Sequence, residues 1–242
     1  MKKLLIILLI TAIAGCAEKE VVFDPIAAFQ KAEESMNKGS WEKARKGYQE
    51  IEEKAPERSY DPSLMLRVAD TYFGEEKYDE ARVEYQAFLN YHPVSKDAAY
   101  AQYQIALCSY DQLTTIDRDP EPARIAIKEL ETLLKKYPKS SYEALAVKNI
   151  ALCKDRLSEY ETYVGRFYYK KGAYQSAIGR FEKLLKDYPN SAGEKDALYY
   201  AGLSYKELGK RDDALRVFEL LSNKYPSAHD SARSQMDKLK TP

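Results

Sequence analysis

The sequence predicts an all-α fold, an α-solenoid of about five helix pairs closed by a C-terminal capping helix. Three observations predict it. An alanine is followed four residues later by a bulky apolar residue and twelve residues later by a proline, five times over: Ala44/Tyr48/Pro56, Ala81/Tyr85/Pro93, Ala126/Leu130/Pro138, Ala177/Phe181/Pro189 and Ala214/Phe218/Pro226. A small residue, a large one a helical turn later and then a break describe the second helix of a helix–turn–helix repeat. Small residues also stand twelve positions before four of those alanines, at Ala32, Ala69, Gly165 and Gly202, where a partner helix must approach closely. Finally, glycine and proline number only ten each in 242 residues, as a helical chain requires.

The chain opens on an address. Lys2 and Lys3 precede an apolar run from Leu4 to Ala14, broken only by Thr11. The run is too short to span a bilayer, which takes about 20 apolar residues. It has the proportions of a secretory signal peptide. Its end, Ile13-Ala14-Gly15-Cys16, resembles the bacterial lipobox. That resemblance implies removal of residues 1–15 and lipidation of Cys16, where several acyl chains on one residue give stable anchoring. The other reading is an ordinary signal peptide with an incidental cysteine. Ala17 is not the aspartate that holds enterobacterial lipoproteins in the inner membrane, so the resemblance favours the outer membrane. Residues 16–24 are then the lipidated cysteine and a tether, of which residues 17–24 reach at most about 30 Å.

Residues 25–242 hold the repeats, at about 25–57, 62–94, 97–139, 141–190 and 192–226, with the cap over 227–240. Turns inside the pairs are expected at Gly39, Gly74, Gly172 and Gly209. Three residues beyond each small residue stand Ser35, Tyr72, Tyr168 and Tyr205, where a ring packs into the next pair. In repeat three the small residue is Ala106, twenty rather than twelve before Ala126. The eight extra residues are assigned to a loop over 113–122, broken by Pro120 and Pro122. In repeat four Gly165 lies 27 residues after Pro138, where the other intervals are 13. Fourteen extra residues make about four helical turns, so one long first helix over residues 141–170 is predicted, its apolar face in phase. The second helices are expected to share one length. Ser140-Ser-Tyr-Glu143 and Ser191-Ala-Gly-Glu194 read as capping boxes. After Pro226, Ala228, Ala232, Met236 and Leu239 form one apolar stripe with a polar outer face, the cap a solenoid needs.

The small residue twelve positions before the alanine of the second helix is similar to tetratricopeptide repeats, whose period is about 34 residues. The two departures from that period are more specific. A lipobox, five repeats, a loop in the third and a long helix in the fourth together resemble the BamD family, lipoprotein subunits of the outer-membrane β-barrel assembly machine. Asp117-Arg-Asp-Pro120 with Ala123, then Leu134-Lys-Lys-Tyr-Pro-Lys-Ser140, match its third repeat. Leu157-Ser-Glu-Tyr-Glu161, Val164-Gly-Arg-Phe-Tyr-Tyr-Lys-Lys-Gly-Ala-Tyr174 and Ala177-Ile-Gly-Arg-Phe181 match its fourth. The chain departs from the family at Tyr160, where histidine is usual, and at Arg58-Ser-Tyr-Asp-Pro62, where a Tyr-Pro-Phe-Gly-like segment is common.

The resemblance implies an outer-membrane scaffold on the periplasmic face that helps recognise and insert unfolded outer-membrane proteins. Its implied partners are a BamA-like barrel subunit, other assembly-machine lipoproteins, the C-terminal segments of unfolded barrel proteins, and the membrane through the lipid. It further implies that the C-terminal repeats dock on the barrel subunit, with Arg180 pairing an acidic residue and Tyr174 as a second contact. The N-terminal repeats would receive the apolar targeting strand, with Tyr72, Tyr103 and Tyr110 as candidates for an aromatic groove. The competing expectation is that these tyrosines pack between helices. Another periplasmic repeat scaffold, coordinating peptidoglycan synthesis with division or holding a cell-wall enzyme, is the alternative function.

The charge balance and the rarer residues exclude other classes. Thirty-eight basic and 38 acidic residues give a formal net charge of zero, which argues against nucleic-acid binding. The two histidines, His92 and His229, are far apart and offer no metal spacing. No phosphate-binding glycine loop and no credible Ser-His-Asp set occurs. No catalytic residue, metal or cofactor is therefore expected, and no enzyme. Lys135-Lys136 and Lys170-Lys171 read as solvated faces. Cys108 and Cys153 lie in apolar helical stretches and read as small core residues, a disulfide between them being the other possibility.

Overall fold

The structure, a computed structural model, describes residues 23–58, 61–113 and 115–240. Among these residues it is all helical. The helices are α1 Pro25–Asn37, α2 Trp41–Lys54, α3 Pro62–Gly74, α4 Tyr78–Tyr91, α5 Ala98–Tyr110, α6 Glu121–Lys136, α7 Glu143–Lys170, α8 Tyr174–Asp187, α9 Glu194–Glu207, α10 Arg211–Lys224 and α11 His229–Lys240. Each packs mainly on the next in sequence, giving five pairs and a terminal helix on α10. The predicted leader, Cys16 and tether residues up to 22 lie outside the described residues.

The Ala–bulky motif is the core of every pair. Ala44, Ala81, Ala126, Ala177 and Ala214 are fully buried, and so are Tyr48, Tyr85, Leu130, Phe181 and Phe218. Each large side chain faces the small residue of its partner helix, because Ala or Gly leaves room for it. The two halves of the solenoid solve this contact differently. In repeats one and two the small residue is alanine, the large one tyrosine, and the next residue an acid that accepts the buried hydroxyl. Tyr48 donates to Glu33, and Tyr85 donates to Asp70 at 2.6 Å. A buried phenol must have such a partner. In repeats four and five the small residue is glycine and the ring is phenylalanine, which needs none. A Cβ on Gly202 would stand 2.7 Å from the Phe218 ring.

Four expectations are corrected in detail. Gly74 is not the turn of repeat two; it ends α3 under the Trp41 ring, and the left-handed residue is Glu76, at φ 59°. Glu76 lies seven residues beyond Ala69, in register with the left-handed Gly39, Gly172 and Gly209. The loop of repeat three ends at Pro120, because Pro122 sits in the first turn of α6, where a missing N–H costs nothing. As a result α6 has 16 residues while the other second helices have 14.

The third correction concerns the capping boxes. Ser140 and Ser191 do not cap a helix; their hydroxyls make no hydrogen bond. Instead the helices start at the glutamates, and Glu143 accepts from the Lys139 N–H at 2.8 Å while Glu194 accepts from that of Asn190. Lys139 and Asn190 are themselves left-handed, at φ 61° and 62°. The acid thus closes the αL turn that follows each second helix rather than the N-terminus of the next one.

Lastly, α7 begins at Glu143, not Ser141, and runs 28 residues. Its first half packs Ala146 and Ile150 against Tyr103, Leu130 and Leu133. Its second half places Gly165 against Phe181. One helix therefore closes repeat three and opens repeat four.

Cys108 and Cys153 are free thiols, buried in separate clusters. Burial pushes their pKa values up to about 12 and about 11. Thiol reagents at pH 8 are expected to label neither until the chain unfolds, which mass spectrometry across a urea titration would check. A raised folded-state pKa means that the unfolded chain loses its proton first. The corresponding stability is complete below the unfolded thiol pKa near 9 and declines as pH rises from there toward 11–12.

Candidate partner-docking site

The polar centre of repeat four is built across α7 and α8. Glu161 lies four residues before Gly165, on the same face of α7, and is turned into the α7–α8 contact with 1% of its side chain exposed. Positions four before the small residue in repeats one, two and five carry Ala28, Met65 and Leu198. Repeat four alone carries a charge there. A buried carboxylate must be paired, and α8 supplies two cations three residues apart on one face. Arg180 Nη1 lies 3.1 Å from Glu161 Oε2, and Lys183 Nζ bonds Glu161 Oε1. Repeat three carries the uncharged Gln102 at this position, whose Nε2 donates to Glu129 Oε2 at 2.9 Å.

The arithmetic of this cluster matters. One buried carboxylate holds two cations, so one positive charge remains at the surface. Arg180 and Lys183 are 38% and 41% exposed, and each keeps donors available. A pre-positioned guanidinium fork suits a carboxylate from another protein.

Tyr174 is not part of this cluster. As the first residue of α8 it packs on Tyr169, with ring centroids 5.6 Å apart. Tyr169 meets Tyr200 at 5.5 Å, and Tyr200 lies 6.2 Å from Phe181 and under Arg166. Eight residues separate Glu161 from Tyr169, about 12 Å along the helix. Arg180 and Tyr174 therefore mark two separate spots on repeat four.

Of the three N-terminal tyrosines, Tyr72 stands apart from the other two. Tyr72 lies half-buried between repeats one and two, with the Arg45 guanidinium 4.3 Å from its ring centre. Tyr103 is buried, stacks on Tyr142 at 5.1 Å and accepts from Asn149 Nδ2 at 3.1 Å. Tyr110 is half-buried against Ala123, Ala126, Cys153 and Leu157. Tyr103 and Tyr110, seven residues apart, share one face of α5 and both pack on α6 and α7, whereas Tyr72 sits at the seam of repeats one and two.

Two features were missed in the sequence. Glu161 was legible as the one charge at an otherwise apolar or neutral register position. The other is a groove of about 650 Å³ along α7, with Tyr163 and Phe167 about half exposed, Ile116 from the repeat-three loop opposite, and Arg166 3.8 Å from Asp196 at its edge. The i, i+4 aromatic pair on a polar helix was its signal. It exists because the extra turns of α7 run alongside that loop. No helix among the described residues is long and apolar enough to cross a membrane. No cluster of His, Cys, Asp or Glu among them is placed to hold a metal ion.

Five helix pairs stacked in sequence among the described residues, each packed mainly on its neighbours, define a helical-repeat scaffold. Among solved structures, the tetratricopeptide-repeat domain of P58(IPK) is similar over 89% of this chain and 64% of that one, at 14% identity and TM-score 0.46. MamA is similar over 85% and 94%, at 18% identity and TM-score 0.40. The outer membrane lipoprotein family, YfiO, matches residues 23–217, and the chain belongs to it. The outer membrane protein assembly factor BamD of Rickettsia prowazekii is 30% identical over 93% of this chain and 92% of its own length. Those of Caulobacter vibrioides and Vibrio cholerae are each 25% identical, over 91% and 89% of this chain and 74% and 95% of their own lengths.

Proposed function

We propose that this chain is a scaffold subunit in outer-membrane β-barrel assembly, anchored by acylated Cys16 on the periplasmic face and docking on a BamA-like barrel subunit through repeat four. The observation that carries the docking reading is the buried Glu161 with its two cations. It fixes Arg180 in place and leaves one surface positive charge for an acidic residue of the partner. Tyr174 and the aromatic seam behind it form a second, apolar contact on the same repeat. Reception of an unfolded protein's apolar C-terminal segment falls to the N-terminal repeats, where Tyr72 and Tyr110 are half-buried and Tyr103 lies on the same face of α5 as Tyr110. Other lipoproteins of the machine are its further partners.

The test is recovery of the full-length lipoprotein from membranes in mild detergent. A barrel subunit with periplasmic domains is expected to co-purify, and the Cys16 peptide is expected to carry acyl mass. Recovery of peptidoglycan-synthesis or division proteins in its place would overturn the reading.

A further inference from the structure

The first helix pair presents a face that repeat two does not cover. Asp24 at the N-cap of α1 and Ala28 and Lys31 within it follow at helical spacing, and on α2 Lys43, Lys46 and Lys54 do the same. With Phe23 they line an open groove of about 650 Å³. Side chains that turn the other way engage repeat two. Glu33 pairs with Arg67 at 2.8 Å, and Arg45 with Glu75 at 2.9 Å.

Charge is sorted between these two sides. The groove carries four exposed lysines and two carboxylates, Asp24 and Glu50. Asp24 is engaged by the N–H groups of Ile26 and Ala27 at the start of α1, and Glu50 by Lys54 at 2.7 Å. Lys46 is likewise paired with Glu42 at 2.7 Å, so Lys31 and Lys43 are the groove lysines without an ion pair among the described residues, and the face is net positive although the whole chain is neutral. It also lies where the chain leaves for its anchor. Phe23 is in the groove wall with its ring 5.2 Å from Lys54 Nζ, and Ile26 beside it is 61% exposed. Seven residues from Phe23 back to Cys16 span at most about 25 Å. Such a tether holds this end of the solenoid near the bilayer, where ammonium groups within the Debye length of about 8 Å feel an anionic surface.

We propose that this lysine face of α1 and α2 rests on the anionic headgroups of the leaflet that holds the Cys16 acyl chains, its ammonium groups taking phosphate oxygens. The inference rests on the anchor proposed above. It makes the first repeat a second membrane contact, which fixes how the solenoid stands on the surface.

Lysine acylation of the full-length lipoprotein, read by mass spectrometry, tests it. The protein is reconstituted in phosphatidylcholine vesicles with and without phosphatidylglycerol. Phosphatidylglycerol is expected to slow acylation of Lys31, Lys43, Lys46 and Lys54 about fivefold, the Boltzmann factor of the usual attraction per basic residue. Lys186 and Lys195, exposed on later repeats, are expected to keep their rates. Protection should fade in high salt, and in a Lys31→Glu/Lys43→Glu variant Lys46 and Lys54 should lose it. Equal rates in both lipids, or equal protection in both as when a peptide segment covers the groove, would overturn the proposal. A Cys16 peptide without acyl mass, together with no recovery on phosphatidylcholine vesicles, would instead overturn the anchor and this inference with it.

Discussion

Replacing Arg180 by alanine is expected to weaken binding to the partner's periplasmic region about 30-fold, or ~2 kcal/mol, while leaving the fold intact. The separation of the two effects follows from the geometry of Glu161. Its carboxylate is buried and must stay paired, but Lys183 still reaches it when Arg180 is gone. The stability cost is then about 1 kcal/mol or less, since Arg180 is 38% exposed and its ion pair is screened accordingly. Charge reversal to glutamate is the poorer experiment. It would set a second carboxylate against Glu161 and weaken the α7–α8 contact as well as the interface. Titration calorimetry for binding and urea denaturation for stability distinguish the two. Unchanged affinity of the Arg180→Ala protein would remove this residue from the site.

Replacing Gly165 by valine is expected to destabilise the chain by about 3 kcal/mol, or roughly 10 °C in melting temperature. Even a bare Cβ there would stand 2.4 Å from the nearest carbon of the Phe181 ring. The ring cannot withdraw, because it is fully buried against Ala177, Leu184, Ala197 and Ala201. In a solenoid such damage is local, since each repeat contacts only its neighbours. Repeats four and five should loosen first, and docking should fall with them. Phe181→Leu in the same chain makes room and is expected to recover part of the loss. Additivity of the two substitutions in a double-mutant cycle would show that this contact is not the cause.

The repeats were legible because their signal is local and redundant. Small, large and break recur at fixed helical intervals, and every one of the ten alanine and bulky positions is buried. The family resemblance was legible because the lipobox, the two irregular intervals and the matching strings of repeats three and four are all local features of the sequence. Where the sequence misled, chemistry had been read without its backbone. A serine three residues before a glutamate looks like a cap, yet here the glutamate serves a left-handed turn one residue further back. Gly74 looks like a turn residue and is instead a gap for Trp41.

By itself, then, the sequence determined the helices, their pairing and the long α7, while Arg180 was singled out by the family resemblance. Only the tertiary structure decided what surrounds each of them. It placed Glu161 under Arg180 and Lys183, set Tyr72 at a different seam from Tyr103 and Tyr110, split α7 between two repeats and gathered lysines from two helices on one open face. The physical reason is range. Helix formation and pairing answer to neighbours three, four and twelve residues away. The electrostatics of a site depend on which side chains from different helices share one low-dielectric contact, and that is fixed only when the solenoid closes.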